Sequence, residues 1–332
     1  FAVFPVVDHT STILARHKAE IERTGTAVAV EDWETFERAY DKGRFFEMAA
    51  TLDVPSPETR APSSASEVAA FADDIEYPVV IKPRSKSHLT GEGYAVTLVT
   101  DGHYADSPVE LREAYQRIVR GRDPEDGYYP LVQEVVPGTT TTTVALADEG
   151  EILAYFQEER LRTHPSSGGN SALLAALREP RMLEYAKRVL GRLEWTGPAM
   201  VEFMRTPDGE FYLIEANGRY WGSLPFAIEC GVDFPWLHYL QLHGIDPSPF
   251  VEYGEYRTDL VQRRLLYEDL KWLGENLEDG NVGALVPFLA AFGDARHTFV
   301  DLADPVPTAC ALLQAARLGG SAALRRAFGG AT

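Results

Sequence analysis

The sequence predicts a mixed α/β (α+β) fold built from two lobes, and three observations lead to this fold class. Between residues 77 and 136, strand-like runs are interspersed with a helical run, as in an α/β lobe. From residue 139 onward, two pairs of strand-like runs are each joined by a short turn, which predicts antiparallel hairpins. From residue 246 the pattern is mostly helical. This order differs from the continuous βαβα alternation of a doubly wound sheet.

The first 57 residues are predicted to be mainly helical. Apolar residues at helical spacing predict a helix within 9–24, and a short strand-like run follows at 27–30. A second helical stretch, continuous or restarted at its middle, is predicted over 33–52. Two prolines shortly after it end the helix, because proline disfavours helical geometry in the residue before it.

The next segment carries the signals of the first lobe. Ser66 is the predicted N-cap of a helix that runs to about residue 73. A second helix is predicted over 107–120, with serine as its cap and proline in its first turn. The β-branched and aromatic content predicts strands at 77–83, 94–100 and 129–136. Residues 84–93, between the first two strands, are predicted to be a loop.

The second lobe is predicted to be an antiparallel sheet with one helix. Residues 139–147 and 151–159 form the first hairpin, and 199–217 form the second, around a turn that contains Pro-Asp-Gly. A polar loop and a helix over 179–193 separate the two hairpins. The chain beyond them is predicted to be a helical extension, with breaks near its prolines and glycines.

The composition excludes several classes of protein. The 332 residues carry 50 Asp and Glu against 31 Lys and Arg, and a net charge of −19 disfavours contact with nucleic-acid phosphates. No run approaches the roughly 18 apolar residues of a membrane span, and the first residues do not resemble a signal peptide. The two cysteines lack metal-type spacing, which argues against a zinc or disulfide framework and favours a cytoplasmic location. The acidic, lysine-poor composition fits either a high-salt cell interior or a GC-rich genome.

The most informative segment is the second hairpin, which carries Glu202, Glu215 and Asn217. Residues two apart on a strand share a face, so Glu215 and Asn217 point the same way, and the hairpin brings Glu202 beside them. Their neighbours are apolar, and a carboxylate within a core strand needs a partner, either a cation or a base. Two carboxylates and an amide oxygen suit Mg²⁺, and Arg219 can meet a phosphoryl oxygen with its fork of donors. The alternative is a hairpin with a simply solvated polar face.

Two further signals lie in the first lobe. Lys82 ends an apolar strand and precedes a loop with Ser85 and two glycines, where charge and backbone N–H groups can hold a phosphate. The loop matches neither a P-loop nor a dinucleotide-binding fingerprint. Residues 133–138, between the lobes, predict a short strand whose free backbone groups can pair with the edge of a flat heterocycle. Taken alone, these signals are better explained by a solvated lysine and an ordinary strand.

Taken together and in this order, these residues resemble the ATP-grasp superfamily. The resemblance covers about residues 40–240, and its specific part is the Glu…Glu-x-Asn element. The matching elements are Asp41-Lys42 before a helix that ends in VPSP, VVIKP at Lys82, QEVVPG at 133–138, and Glu202, Glu215, Asn217 and Arg219.

The resemblance implies a role for each of these residues. One or two Mg²⁺ ions, with Mn²⁺ as an alternative, would be bound by Glu202, Glu215 and Asn217. The implied catalytic residues are Arg219, on the transferred phosphoryl group, and Arg160, on the carboxylate being activated. Arg162 is a second candidate for that task, and for both of these arginines a surface position is the alternative. The implied ATP-binding residues are Lys42, Lys82, Ser85, Gln133, Glu134, Val135, Val136 and Leu213.

The activity implied by the resemblance is that of an ATP- and Mg²⁺-dependent ligase. Such an enzyme activates a carboxylate as an acyl-phosphate for attack by an amine, with a thiol as the alternative acceptor, and it forms ADP and phosphate. Two alternatives stay open, namely an ATP-binding regulatory module without turnover and a kinase of small carboxylates. The implied partners are a small carboxylate and an amine, with a second copy of the chain in a homodimer as a further candidate. No nucleic acid and no membrane partner is expected.

The resemblance also divides the chain into four parts. Residues 1–57 are the remnant of an N-terminal α/β domain with a lead-in helix, and residues 58–136 are the first lobe. Residues 137–245 are the second lobe with the metal site, and residues 246–332 are the helical extension. Members usually begin with a complete N-terminal domain, so the chain is interpreted as a fragment or a reduced member. The loop after Lys82 is also less glycine-rich than is usual in the family.

Overall fold

The computed structural model describes residues 1–85, 87–90, 93–97, 99–120, 129–165, 168–298 and 304–314. The chain divides into two compact units. The first comprises Phe1–Gln157 and Glu179–Tyr256, and the second comprises Glu158–Arg178 and Arg257–Thr332. Across the described ranges, no helix has both the length and the apolar character that crossing a membrane requires.

The first unit begins with a pair of short strands and four helices. Strands β1 (Ala2–Val3) and β2 (Ala27–Val28) pair in parallel, and the helices are α1 (Asp8–Arg16), α2 (Lys18–Glu22), α3 (Trp33–Tyr40) and α4 (Lys42–Ala49). Asp41 interrupts the helical stretch predicted at 33–52. Its backbone is extended and its carboxylate accepts a hydrogen bond from the Arg44 N–H at 3.0 Å, which makes it the N-cap of α4. This cap makes Lys42 the first residue of the helix.

A four-stranded antiparallel sheet forms the centre of the next segment. Its strands, in spatial order, are β3 (Thr59–Arg60), β8 (Leu131–Glu134), β4 (Val79–Lys82) and β7 (Tyr104–Ala105). Helices α5 (Ala65–Phe71) and α6 (Pro108–Val119) contribute Val68 and Leu111 to a core that also contains Ile81 and Val132. The predicted cap of α6 is confirmed, since the Ser107 hydroxyl accepts from the Glu110 N–H at 3.3 Å.

Two predictions for this segment are wrong in detail. Helix α5 is capped by Ser64 rather than Ser66, because the Ser64 hydroxyl accepts from the Glu67 N–H at 3.1 Å. The Glu67 carboxylate in turn accepts from the N–H of Ser63, the residue before the cap, at 2.7 Å, and so adds a second hydrogen bond at this end of the helix. The predicted loop after Lys82 contains strand β5 (Ser87–Thr90), which forms an antiparallel ribbon with β6 (Gly93–Val96).

The predicted hairpins are confirmed in the rest of the first unit. Its strands follow the spatial order β13 (Phe211–Asn217), β12 (Gly197–Arg205), β9 (Thr139–Asp148) and β10 (Glu151–His164). Strand β10 continues beyond its predicted end, and the units divide within it, between residues 157 and 158. The helices of this part are α7 (Pro180–Leu193), α8 (Leu224–Glu229) and α9 (Phe234–Leu242).

The second unit combines the end of β10 with short strands and helices. Strands β11 (Asn170–Leu177), β14 (Val261–Arg263) and β15 (Arg296–His297) follow one another in the sheet, and the helices are α10 (Leu270–Glu278) and α11 (Leu285–Asp294). Strand β11 was not predicted, because its Ala and Leu residues favour a helix and lack alternation. The extension predicted as helical therefore also supplies two strands.

Candidate active site

The hairpin of β12 and β13 brings its three polar residues together. Glu202 lies directly opposite Glu215, and Asn217 lies opposite Met200 in the same ladder. The register shifts at a bulge between Glu202 and Phe203. All three polar residues are buried, with 6%, 6% and 9% of their surface exposed for Glu202, Glu215 and Asn217. The polar face of the hairpin is therefore not a solvated surface.

The Asn217 amide bridges the two carboxylates. Its Nδ2 donates to Glu202 Oε1 at 3.2 Å and to Glu215 Oε1 at 2.9 Å. One amide group satisfies one oxygen of each carboxylate, but it brings no charge. Two buried negative charges so close together need a cation as well.

Lys42 supplies one positive charge to this pair. Its Nζ donates to Glu215 Oε2 at 2.6 Å, and both side chains are largely buried, at 12% and 8% exposure. The contact joins the start of α4 to β13, 173 positions further along the chain. Lys42, for which the resemblance implies binding of the ATP phosphates, thus contacts Glu215, a predicted metal ligand.

Arg219, just after β13, is held by a residue that sequence reasoning missed. Its Nε and Nη2 donate to the two carboxylate oxygens of Asp8 at 2.5 and 3.2 Å, and its Nη1 donates to the Tyr220 carbonyl at 2.9 Å. Burial disfavours the charged guanidinium, but the hydrogen bond and charge of Asp8, with the charges of Glu215 and Glu202, raise the pKa of Arg219. The sequence carries no local signal for Asp8, which lies 211 positions away.

A cleft runs past this group of side chains. Its lining includes Lys42 and Asn217, together with Asp8, Phe36, Tyr40 and Gly218. Gly218 is needed where it stands, since a Cβ there would lie 2.2 Å from the Trp195 ring. The cleft thus brings an ammonium group, an amide and a carboxylate from three elements to one surface.

The second predicted lysine is positioned by its neighbouring strand. Lys82 Nζ donates to Gln133 Oε1 at 2.6 Å, and Gln133 Nε2 donates to Thr59 Oγ1 at 2.7 Å. This chain of bonds orients Lys82 at the end of β4, and Ser85 follows as a half-buried residue.

In the segment between the lobes, more backbone N–H groups have hydrogen-bond partners than predicted. The Glu134 N–H donates to the Glu58 carbonyl at 2.9 Å, and the Val135 N–H donates to the Pro78 carbonyl at 3.1 Å. The expectation that these two N–H groups are free for a heterocycle is therefore wrong, because the residues just before β3 and β4 already accept their hydrogen bonds. Val136 and Leu213 are both buried.

The two arginines predicted to face substrate belong to the second unit. Arg160 Nη1 donates to the Gly169 carbonyl at 3.5 Å. Arg162 Nη1 donates to Asp269 at 3.1 Å, and its guanidinium lies 4.4 Å from the centre of the Trp272 ring. Arg162 is therefore bound to partners within its own unit and is not a surface residue, and its predicted role at the substrate stays a prediction.

The donor set of the hairpin fits a hard divalent cation. Carboxylate and amide oxygens are the ligands that Mg²⁺ accepts, and the ion keeps waters or phosphate oxygens as its other ligands. Among the residues that the structure describes, no group of three or more His, Cys, Asp or Glu side chains could hold a metal. The two glutamates and Asn217 form a mixed set of a different kind, in which the Asn217 amide nitrogen holds one oxygen of each carboxylate.

The chain is similar to known proteins in sequence and in fold. The chain is 28% identical over 221 residues to the carbamoyl phosphate synthase large chain of Thermotoga neapolitana, which covers 64% of this chain and 19% of that one. It is 25% identical over 272 residues to D-aspartate ligase of Enterococcus faecium, covering 76% and 61%. It resembles the biotin carboxylase domain of Hydrogenobacter thermophilus 2-oxoglutarate carboxylase, solved as a dimer with MgADP, ADP and bicarbonate, with a TM-score of 0.59, 17% identity, and coverage of 79% and 58%.

The chain spans about a fifth of the first relative and about three fifths of the second. No protein-family model matches it. The structural likeness shows that this chain shares the fold of that carboxylase domain.

Proposed function

Because this chain belongs to the ATP-grasp superfamily and has its fold, we propose that it is a ligase that joins a carboxylate to an amine at the expense of ATP. The observation that carries the proposal is the convergence of Glu202, Glu215 and Asn217 on one buried face of the hairpin. A ligase named for D-aspartate and a large chain of carbamoyl phosphate synthase among the relatives support the same chemistry.

Each group of the candidate site has a task in this chemistry. Glu202, Glu215 and Asn217 would hold Mg²⁺, which, when bound, neutralises charge on the β- and γ-phosphates. Lys42 and Lys82 would bind phosphate oxygens, and Arg219 would stabilise the phosphoryl group in transfer. The assignments of Ser85, Gln133, Glu134, Val135, Val136 and Leu213 to ATP, and of Arg160 to substrate, stay predictions.

The reaction has two steps. A carboxylate oxygen of the substrate attacks the γ-phosphorus, the bond to the β,γ-bridging oxygen breaks, and ADP leaves. The amine nitrogen then attacks the acyl carbon, inorganic phosphate leaves, and the nitrogen loses a proton. The residues named above bind and orient the phosphates in the first step, which depends mainly on position and charge.

The test is a screen of small carboxylates with hydroxylamine as a general amine. We expect Mg²⁺-dependent formation of a hydroxamate together with ADP for at least one acid. Because a released acyl-phosphate also reacts with hydroxylamine, each active acid is assayed again without any amine, and ADP together with a free acyl-phosphate in that assay would indicate a kinase. Nucleotide binding with no ADP for any acid would contradict the ligase proposal and favour a regulatory binding module.

A further inference from the structure

Arg84 connects the two segments that carry the lysines of the candidate site. It lies two residues after Lys82, and its guanidinium forks onto Asp41, the residue before Lys42. Arg84 Nε lies 3.2 and 3.1 Å from the two carboxylate oxygens of Asp41, and Nη2 lies 3.0 Å from Oδ1. The Asp41 side chain is 7% exposed, so this is a well-shielded, two-pronged ion pair.

The backbone strengthens the same connection. The Lys42 N–H donates to the Arg84 carbonyl at 2.8 Å. The Arg84 guanidinium packs directly against Gly43, since a Cβ built at this position would lie 2.1 Å from Arg84 Nη2. The arginine therefore fits only because residue 43 has no side chain.

Asp41 has a second task that makes the connection rigid. Its Oδ1 accepts from the Arg44 N–H at 3.0 Å and so sets the beginning of α4. The Asp41 carboxylate thus determines where the helix with Lys42 starts, and it also binds the guanidinium of Arg84, two residues after Lys82. Lysine side chains are long and flexible, so a fixed relation between their backbones reduces the ordering that a shared ligand requires.

We propose that Arg84 is a positioning residue whose ion pair with Asp41, seated against Gly43, fixes Lys42 and Lys82 relative to each other for the phosphates of one nucleotide. This inference rests on the proposed function, because it takes both lysines to bind the same polyphosphate. Arg84 acts through the two lysine segments, and it keeps its own guanidinium on Asp41.

Gly43→Ala is the sharpest test, because it moves Arg84 without removing any charge. Alanine suits a helix better than glycine, and the flexible arginine can give way, so we expect the melting temperature to be retained. By calorimetry, ADP affinity should fall about tenfold, as expected when two lysines must be ordered on binding. Adenosine, which has no phosphate, should bind as before in a competition assay. Gly274→Ala is the matched control, since a Cβ there meets no neighbouring atom within 4 Å.

A double-mutant cycle assigns the effect to Arg84. In an Arg84→Ala background, Gly43→Ala should cause no further loss of ADP affinity, because there is no guanidinium left to displace. Arg84→Lys, which keeps the charge but loses the fork, should weaken ADP binding, whereas Arg44→Lys on the same helix should not.

The outcomes separate this inference from the proposed function. If the unmodified chain binds ADP and Gly43→Ala binds it equally well, the positioning role is wrong while the ligase proposal stands. The positioning role is also wrong if Gly43→Ala weakens the binding of ADP and adenosine equally. It is likewise wrong if Gly43→Ala still lowers ADP affinity in the Arg84→Ala background. If the unmodified chain does not bind ADP at all, the proposed function is wrong, and the positioning role is wrong with it.

Discussion

Each unit contains a buried cluster in which two side chains of one charge meet one side chain of the other charge, and the signs are opposite in the two clusters. In the first unit, two carboxylates, Glu202 and Glu215, stand beside the single ammonium group of Lys42. In the second unit, two guanidinium groups, Arg162 and Arg263, share the single carboxylate of Asp269. Among the contacts of the described residues, two carboxylates thus accompany one ammonium group in the first cluster, and two guanidinium groups accompany one carboxylate in the second.

The surroundings of the two clusters explain why only the first is a candidate active site. In the cluster of the first unit, Asn217 and Lys42 line a cleft. Arg263 and Asp269 are fully buried, and the Arg263 guanidinium lies 4.3 and 4.2 Å from the ring centres of Phe288 and Phe292. Aromatic rings stabilise a buried cation without a second carboxylate. Charged groups that line a cleft can meet a ligand, whereas charged groups enclosed by aromatic rings stabilise the fold.

Glu215→Gln should produce the largest effect, a loss of activity, accompanied by some loss of stability because Lys42 loses the carboxylate that it contacts. Loss of an outer-shell partner of a metal ligand already costs roughly 10- to 100-fold. We therefore expect ADP release to fall about 1,000-fold when a ligand itself is lost, which is about 4 kcal/mol. Glutamine can still accept the hydrogen bond from Asn217, so the fold should persist by circular dichroism. Glu210→Gln, in the exposed turn of the same hairpin, is the control, and equal turnover of both variants in a coupled ADP assay would remove Glu215 from the site.

Asp269→Asn should show the opposite pattern, with an effect on stability. It leaves two buried guanidinium groups without their shared countercharge, so we expect the free energy of unfolding to fall by about 3 to 4 kcal/mol. Urea unfolding measures this loss, and the exposed Asp259→Asn serves as control because it breaks only a surface pair with Arg257. An unfolding midpoint like that of the unmodified chain would show that the rings alone hold this cluster.

A buried histidine of the first unit should make stability depend on pH. Burial, and more weakly the charge of Lys18, lowers the pKa of His238 from 6.5 to about 4, and the ring nitrogen Nδ1 lies 3.0 Å from the Tyr220 hydroxyl. The unfolded chain binds the proton more tightly, so stability falls as pH falls from 6.5 towards 4, by about 3 kcal/mol in total. His238→Gln should flatten this part of the pH profile, whereas the exposed His17→Gln should leave its slope unchanged.

Asp8→Asn should give the smallest effect of the four. Asparagine keeps one acceptor for Arg219 but loses the charge and half of the two-pronged geometry. We expect turnover to fall about tenfold, with nucleotide affinity unchanged, because Arg219 is proposed to act on the transferred phosphoryl group. Asp53→Asn, at an exposed pair with Arg188, is the control. Full activity of Asp8→Asn would show that Arg219 does not need its partner.

Local patterns predicted most elements of the first unit. The β12–β13 hairpin follows from two apolar strands around a Pro-Asp-Gly turn, and its period of two sets which residues share a face. The prediction failed where tertiary context overrode a local preference. Strand β11, rich in Ala and Leu, is a strand because it lies between β10 and β14 in the sheet. Ser66 and Ser64 are equally good caps in isolation, and Glu67 decides between them.

By itself, the sequence determined that Glu202, Glu215 and Asn217 meet on one face of a ribbon, because a hairpin aligns residues that are close along the chain. Only the tertiary structure decided which cations they meet. Lys42 reaches Glu215 across 173 positions, and Arg84 reaches Asp41 across 43. No local pattern encodes such partners, because a charge needs one only after folding has removed its water.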